Sequence, residues 1–503
     1  MKIERALSEM NEKMIYGELK EAIGENKVKN KDIVLATYGS DISVTPYQKP
    51  SYVILPENKE DVKEVLQIAN KYKIPVTVMS GGVNVIGLTI PVEAGILLDL
   101  HRMDKVLEIN TDSGYALIEP GVTFDRFTAA LAQKGFRCQV STAPGGSTPL
   151  GNYLMRPSGS LSNRHLDPIL DLEVVFPDGS EVNTGSSQFP TAGSFLRYGP
   201  HPDFTGLFCC SFGTLGVVTK AAVRIYPINE SNRVHLAAFD NYESSVKYVK
   251  DIVNNNIPEH CIIWCWTHYM AYEITVPPQG GMPSLPPKLK DNPKKPPKGI
   301  PYNVVTTFMS GYEESMVTNE KILSKVVQKY GGRVLSKEEA QKLSPSMCSA
   351  WKELYEEYHQ PRMEGTKKYG MGRYMAWIVN AEPKDIVKIE SFAVDRLYST
   401  GAKPVCYYSM PFDFGRSMFF RLFTYVDSKD KELTEQVQQI FTEMYDTAMR
   451  KYNAVPFRYR GVTGKIWLEQ TPEFYQFYKK IKKALDPNNM LNVNMNIFQE
   501  RSP

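Results

Sequence analysis

The stretch Met79-Ser80-Gly81-Gly82-Val83-Asn84-Val85-Ile86-Gly87 follows directly on a β-branched run, Val76-Thr77-Val78. A loop of small residues after a strand can curve its backbone so that several N–H groups converge on an anion, because glycine reaches conformations closed to other residues. The segment lacks both the GxGxxG spacing of the dinucleotide turn and the Gly-Lys-Ser/Thr ending of a nucleoside-triphosphate loop. Three similar segments follow it: Glu119-Pro120-Gly121-Val122, then Pro144-Gly145-Gly146-Ser147 with Gly151-Asn152, then Ser211-Phe212-Gly213-Thr214-Leu215-Gly216-Val217-Val218-Thr219. Any one of them can be a hairpin turn. Four spaced through one region suit a long ligand threaded between two halves of a domain.

Around these loops, from about Val53 to Pro227, short strand-like runs alternate with helices. Val62, Val65, Leu66, Ala69 and Tyr72 recur at helical spacing within Glu60–Tyr72 and line one face. A second helix is expected from Thr123, a natural N-cap, to Lys134, stopped by Gly135. Leu172-Glu173-Val174-Val175-Phe176 reads as a strand entering the turn Pro177-Asp178-Gly179. From about Ile228 to Ala454 the elements are longer, with helices near Glu243–Asn255 and Ser315–Tyr330 and strands at Tyr374–Val379 and Phe419–Phe423. Val455 to Pro503 is too short to stand alone and should pack back on an earlier unit. The fold class is therefore α+β, in three parts: 1–227, 228–454 and the returning segment 455–503. Between Val276 and Tyr302, nine prolines and five lysines predict an exposed, partly extended loop, either a lid, a docking arm or a plain solvated insertion.

Composition excludes several classes. The 503 residues allow about two to four folding units, and 42% hydrophobic with 23% charged residues is an ordinary globular balance. The net charge of +3 is too small to make nucleic acid the expected partner. No secretion signal and no run of about 18 apolar residues is present, so a cytoplasmic protein without membrane insertion is expected. Seven scattered cysteines without a CxxC pair point to neither disulfides nor zinc, and the vicinal Cys209-Cys210 reads as a pair of small buried hydrophobes.

The four glycine segments in this order, with Ile74-Pro75-Val76, Leu98-Asp99-Leu100 and the tail Lys483-Ala484-Leu485-Asp486-Pro487-Asn488-Asn489-Met490-Leu491, resemble the vanillyl-alcohol oxidase and p-cresol methylhydroxylase superfamily. The likeness runs through about Ile33 to Pro227 and again from Phe457. It implies a two-subdomain PCMH-type FAD-binding domain, a cap domain over the flavin and a C-terminal segment that completes the FAD domain. Residue by residue it implies that Ser80, Gly81, Gly82, Val83, Asn84 and Gly87 wrap the FAD pyrophosphate. Pro120 and Gly121 belong to the same cofactor set; Gly145, Gly146, Ser147, Gly151 and Asn152 would pass near the ribityl chain and ring, and Gly216, Val217 and Val218 would touch the adenosine side.

The chain also departs from that pattern. Members that bond the flavin covalently use a cap His or Tyr, or a His of the first glycine loop. Here the cap segment reads Gly415-Arg416-Ser417-Met418-Phe419-Phe420-Arg421-Leu422 and the loop has Val83, so non-covalent FAD is expected. The hydroxy-acid branch carries two metal-binding histidines in that strand; neither is present, and no metal is expected. The phenol branch uses a Tyr-Arg pair, matched by Tyr459-Arg460, but its loop tyrosine is Ile86 and its acid is Ala143.

Together these readings imply an FAD-dependent oxidoreductase acting at an oxygen-bearing or benzylic carbon of a small aromatic or phenolic substrate. Arg460 would hold an anionic substrate oxygen with Tyr459 assisting, and Tyr407, Tyr408, Arg416 and Arg421 are cap candidates whose strand parity is left open. The alternatives are a hydroxy-acid dehydrogenase of the lactate or glycolate type, and a flavin-holding subunit of a larger redox complex. An electron acceptor and a homodimer are the expected partners.

Overall fold

A computed structural model describes residues 2–83, 86–140, 144–155, 167–199, 201–271, 285–345, 373–427, 429–458 and 462–493. Helix and strand are mixed throughout, so the α+β class holds.

The first half contains, beside the short pair Phe136–Arg137 with Tyr226–Pro227, two larger sheets. In the smaller, the parallel strands Tyr52–Ile54, Ile96–Asp99 and Val76–Met79 lie side by side, with Val28–Lys29 antiparallel on the edge. The helix Lys59–Tyr72 connects two of these strands and buries Val62, Val65, Leu66 and Ala69 against Ile54, Val76 and Leu98. Its start is fixed by Asn58, whose side chain accepts the Asp61 N–H at 2.9 Å. Its end is the left-handed Lys73 (φ 53°) before Ile74-Pro75. The second sheet is antiparallel, in the order Val106–Asn110, Tyr115–Ile118, Val217–Arg224, Ile169–Val175, Glu181–Asn183. The first glycine loop leaves the end of Val76–Met79, and Gly216 leads into Val217–Arg224, so loops from both sheets meet between them.

An eight-stranded sheet follows, with Ser231–Phe239, Asn303–Gly311, His260–Cys265, Cys406–Phe412, Ser417–Val426 and Arg373–Ala381 as its long members. Alternation along each strand sends successive residues to opposite faces. One face, including Val305, Val379, Tyr407 and Phe420, packs under the helices Tyr242–Asn254, Glu313–Lys329, Pro383–Ser399 and Lys431–Lys451. The other face is an aromatic layer that includes Trp264, Phe308, Tyr374, Tyr408, Phe419 and Phe423. The buried Arg137 of the first half grips Glu259 of this part through two hydrogen bonds of 2.9 and 2.8 Å.

The tail does return. Val76 N–H donates to Met490 O and Asn492 N–H to Val76 O, both at 2.8 Å, so residues 490–492 extend the smaller sheet. Lys482, 4% exposed in its side chain, donates to Asp486, Thr214 O and Leu491 O, while Asp486 also accepts the Met490 and Leu491 N–H groups. A buried pair of this kind holds only because every charged atom is hydrogen-bonded.

The proline- and lysine-rich stretch is exposed as expected at Pro286–Lys288, Lys290, Lys295 and Lys298, but it is anchored at several points. Residues 272–284 lie outside the described part; the remainder is pinned. Leu289 is fully buried, Trp266 donates its indole N–H to Pro293 O at 2.6 Å, Tyr269 donates to Pro301 O at 3.1 Å, and Lys294 pairs with Asp395 at 2.7 Å. Proline removes backbone donors but leaves the carbonyls, and these accept from buried aromatics of the preceding helix.

Candidate functional site: the glycine-lined cleft and the cap face

A cleft runs between the two larger sheets of the first half. Ser80, Gly81, Gly82, Val83, Pro120, Ser147, Gly151, Asn152, Gly216 and Val218 line it. The walls are close. A Cβ on Gly81 would lie 2.8 Å from Thr148 Cγ2, and one on Gly151 would lie 2.6 Å from Ser80 Oγ. Gly82 has φ +66°, a conformation that glycine adopts without penalty. The Ser80 and Thr148 hydroxyls are 2.9 Å apart and bridge the first loop to the third. Narrow, glycine-surfaced and open along its length, this cradle fits an extended dinucleotide whose phosphates must come against backbone.

Other members of the expected cofactor set stand elsewhere. Gly87 (φ +72°) turns the chain and gives its N–H to Asp41 at 2.8 Å. At Gly121 a Cβ would meet His101 O at 2.5 Å, so this glycine allows two backbones to pass and is absent from the lining. Gly145 accepts the Asp125 N–H at 3.1 Å, and Gly146 has open space where a Cβ would be; neither lines the cleft. Val217 is buried in the smaller sheet's core, its neighbour Val218 facing the cleft as strand alternation requires. Asn84 lies outside the described residues, as do Tyr459 and Arg460.

The cleft also uses Thr148, Leu88 and Asn492, which the glycine segments do not contain, and Phe212 and Gly213 of the fourth segment, to which the sequence reading assigns no cofactor role. Asn492 accepts the Val78 N–H at 2.7 Å and donates to Phe212 O. The Gly213 position has no room for a Cβ, which would fall 2.6 Å from Asn492 Nδ2. Cys210 (φ 57°) and Phe212 (φ 54°) bend the same loop inward.

On the eight-stranded sheet, parity separates the candidates. Tyr408 and Arg421 are cross-strand partners on the aromatic face. Arg421 Nη1 donates to Tyr408 Oη at 3.0 Å, and its guanidinium lies 5.0 Å from the Tyr374 ring centroid. The His268 and Trp264 rings lie 5.5 and 5.6 Å from that of Tyr408. Tyr407 faces the helices instead, where Asn303 donates to its hydroxyl at 3.2 Å and burial, then Glu390, pushes its ionisation far upward. Arg416 sits in the exposed hairpin turn between the two strands, paired with Asp413 at 2.8 Å; a turn residue follows no strand parity.

Arg458, which the sequence reading passed over, reaches this face. Phe457 N–H donates to Ile378 O at 3.2 Å, Ile378 pairs with Arg421, and the Phe457 ring lies edge-on to Phe419 at 4.9 Å. Burial, and then the like charge of Arg421, lowers the Arg458 pKa to about 10, with Cys210 and Tyr408 as the opposing neighbours.

Residues 50–185 match the family model described as an FAD binding domain. The chain is 25% identical over 463 residues to the 4-cresol dehydrogenase [hydroxylating] flavoprotein subunit of Pseudomonas putida, covering 88% of this chain and 87% of that one. Its fold matches the crystal structure of p-cresol methylhydroxylase with substrate bound, at TM-score 0.82 and 21% identity, over 98% of both chains. Residues 50–185 thus form an FAD-binding domain, in a chain that has the fold of p-cresol methylhydroxylase. The chain is also 28% identical over 220 residues to glycolate oxidase subunit GlcD of Bacillus subtilis, covering 43% of this chain and 45% of that one. The flavoprotein spans about half the length of the first curated relatives it matches. Among its described residues no helix is long and apolar enough to cross a membrane.

Proposed function

We propose that this flavoprotein transfers a hydride between an oxygen-bearing or benzylic carbon of a small aromatic or phenolic substrate and FAD. When bound, FAD supplies the two-electron acceptor; the chain binds, orients and desolvates. Ser80, Gly81, Gly82 and Val83 would hold the pyrophosphate, Ser147, Gly151 and Asn152 the middle of the cofactor, and Gly216 and Val218 its adenosine side. Residues 228–454 would act as the cap, with the aromatic face of Trp264, Tyr374, Tyr408 and Phe423 against the substrate. Tyr459 and Arg460, in register with the phenol branch, would hold the substrate oxygen.

The observation that carries the reading is the glycine-lined cleft, whose Gly81 and Gly151 leave no room for a Cβ, in a chain that also carries a buried aromatic sheet face. Two of the phenol branch's polar groups are replaced by Ile86 and Ala143, so the site has no evident carboxylate base there and would take a substrate already ionised or run in the reductive direction. FAD would be held without a covalent bond, and the protein would be a cytoplasmic homodimer passing electrons to a separate acceptor. The hydroxy-acid reading draws on the glycolate oxidase relative, but the strand Ser417–Val426 holds no histidine.

Anaerobic titration of the purified holoprotein tests the proposal. Substituted phenols should bleach the flavin band and D-lactate should not. Bleaching by lactate alone would replace the reading with the hydroxy-acid one; bleaching by neither, restored by a co-purifying protein, would favour the flavin-holding subunit.

A further inference from the structure

The first glycine loop is fastened at both ends. Ser80, at its start, is bridged to Thr148, and Gly87, at its end, gives its N–H to the Asp41 carboxylate at 2.8 Å. Asp41 belongs to a loop closed at its base, where Gln48 N–H donates to Gly39 O at 3.0 Å and the adjoining Tyr38 donates its hydroxyl to the buried Asp99, also at 3.0 Å. The other Asp41 oxygen accepts the Ser43 N–H at 2.8 Å, so each carboxylate oxygen holds one backbone donor. Charge-assisted bonds of this kind are roughly twice as strong as neutral ones.

The tip of the loop reaches the eight-stranded sheet. Ser43 is 6% exposed, and its carbonyl accepts from Arg373 Nη1 at 3.2 Å, at the first residue of the strand Arg373–Ala381. On either side of Ser43, Ile42 packs with the aromatic layer and Val44 with the helix-covered layer, so the tip straddles the sheet. Arg373, Ser43, Asp41 and Gly87 thus form one hydrogen-bonded path from that sheet to the glycine loop, with no step longer than 3.2 Å.

We infer that Asp41 is a positioning residue for the cofactor, and that the loop 39–48 couples FAD binding at the first glycine loop to the seating of the eight-stranded sheet. Arg373 is absent from the cleft lining, yet it should act on FAD through Ser43 and Asp41. By linkage, bound FAD should strengthen the Arg373 contact by the same factor. This rests on the first glycine loop holding FAD, as proposed above, and is independent of the substrate assigned there.

A double-mutant cycle tests it, with apoprotein titrated by FAD and apoprotein Tm read alongside. Asp41→Ala should raise the FAD Kd about tenfold, and Asp41→Asn, which keeps one acceptor oxygen, should recover part of the loss. Arg373→Met should raise the Kd roughly threefold in the otherwise wild-type chain and leave it unchanged in Asp41→Ala, where the path is already cut. A Kd unchanged in Asp41→Ala overturns the positioning role whatever happens to Tm, since a merely structural residue would move Tm alone. An Arg373→Met effect that is absent, or equal in both backgrounds, overturns the coupling. If Asp41→Ala does not fold, the cycle run with Asp41→Asn decides, and there the Arg373→Met effect should shrink. Gly82→Leu is the reference: flavin retained in that variant would remove the glycine loop from the cofactor site, whereas flavin lost there with an unchanged Kd in Asp41→Ala removes the role of Asp41 alone.

Discussion

The Ser80 and Thr148 hydroxyls, 2.9 Å apart, latch the first glycine loop to the third across the neck of the cofactor cleft. Thr148 is 4% exposed, so its side chain serves the protein interior and the cleft lining alone. Thr148→Val keeps the shape and removes the partner of Ser80. The loss of one neutral hydrogen bond is worth about 1 kcal/mol, so FAD affinity should fall by roughly fivefold, measured by titrating apoprotein with FAD, while Tm without FAD changes little. An unchanged Kd would mean that the latch does not shape the cradle.

Gly82→Leu should abolish FAD binding and leave a folded apoprotein. A side chain there must adopt φ +66° and project toward Met79, with Cβ 3.1 Å from its sulfur; a non-glycine residue in this region costs of order 1 kcal/mol, too little to unfold a chain of this size. Circular dichroism and flavin absorbance of the purified variant check it; stoichiometric flavin would show that the cofactor runs elsewhere.

Acid precipitation should release the flavin into the supernatant, because Phe419, Phe420 and Val83 stand at the family's attachment positions and none of these side chains can bond it. Phe419 and Phe420 are instead packed into opposite faces of the cap sheet. A yellow pellet would contradict this.

His235 sets an acid limit to stability. It lies on the helix-covered face, 6% exposed, with neither ring nitrogen partnered among the described residues, and burial lowers its pKa to about 4. The unfolded chain binds that proton near pH 6.5, so as pH falls from about 6.5 to 4 the unfolded state gains protons first and stability declines, by at most about 3 kcal/mol. Denaturant unfolding at a series of pH values should show this slope in the wild type and a flatter one in His235→Leu. Parallel curves would place the acid sensitivity in other groups.

Much of this arrangement was visible in the primary sequence where local rules govern. Asn58 and Thr123 cap the two helices expected after them, and the helix expected near Glu243–Asn255 is found at Tyr242–Asn254. The glycine segments were legible as loops, but the reason for each glycine was not. Gly82 and Gly151 face the cleft, whereas Gly121 is needed because His101 O passes behind it, a contact between segments that no spacing rule encodes. Whether Tyr407 or Tyr408 turns to the aromatic face depends on which side the helices cover, and that is decided by Tyr242–Asn254 and Pro383–Ser399, far away in the chain. Arg458 was missed for the same reason: its neighbours Arg421 and Cys210 come from two other segments.

The cleft's last wall arrives late in synthesis. Asn492, which fixes both Val78 and Phe212, lies 414 residues beyond Val78. At about 5–20 residues per second, a ribosome needs roughly 20–80 s to make the intervening chain, and throughout that time the glycine loop has a strand behind it but no tail beside it. Closure of the cleft in its final geometry therefore waits for residue 492, and a polypeptide cut short before it would display the whole first glycine loop and still lack the wall that closes it.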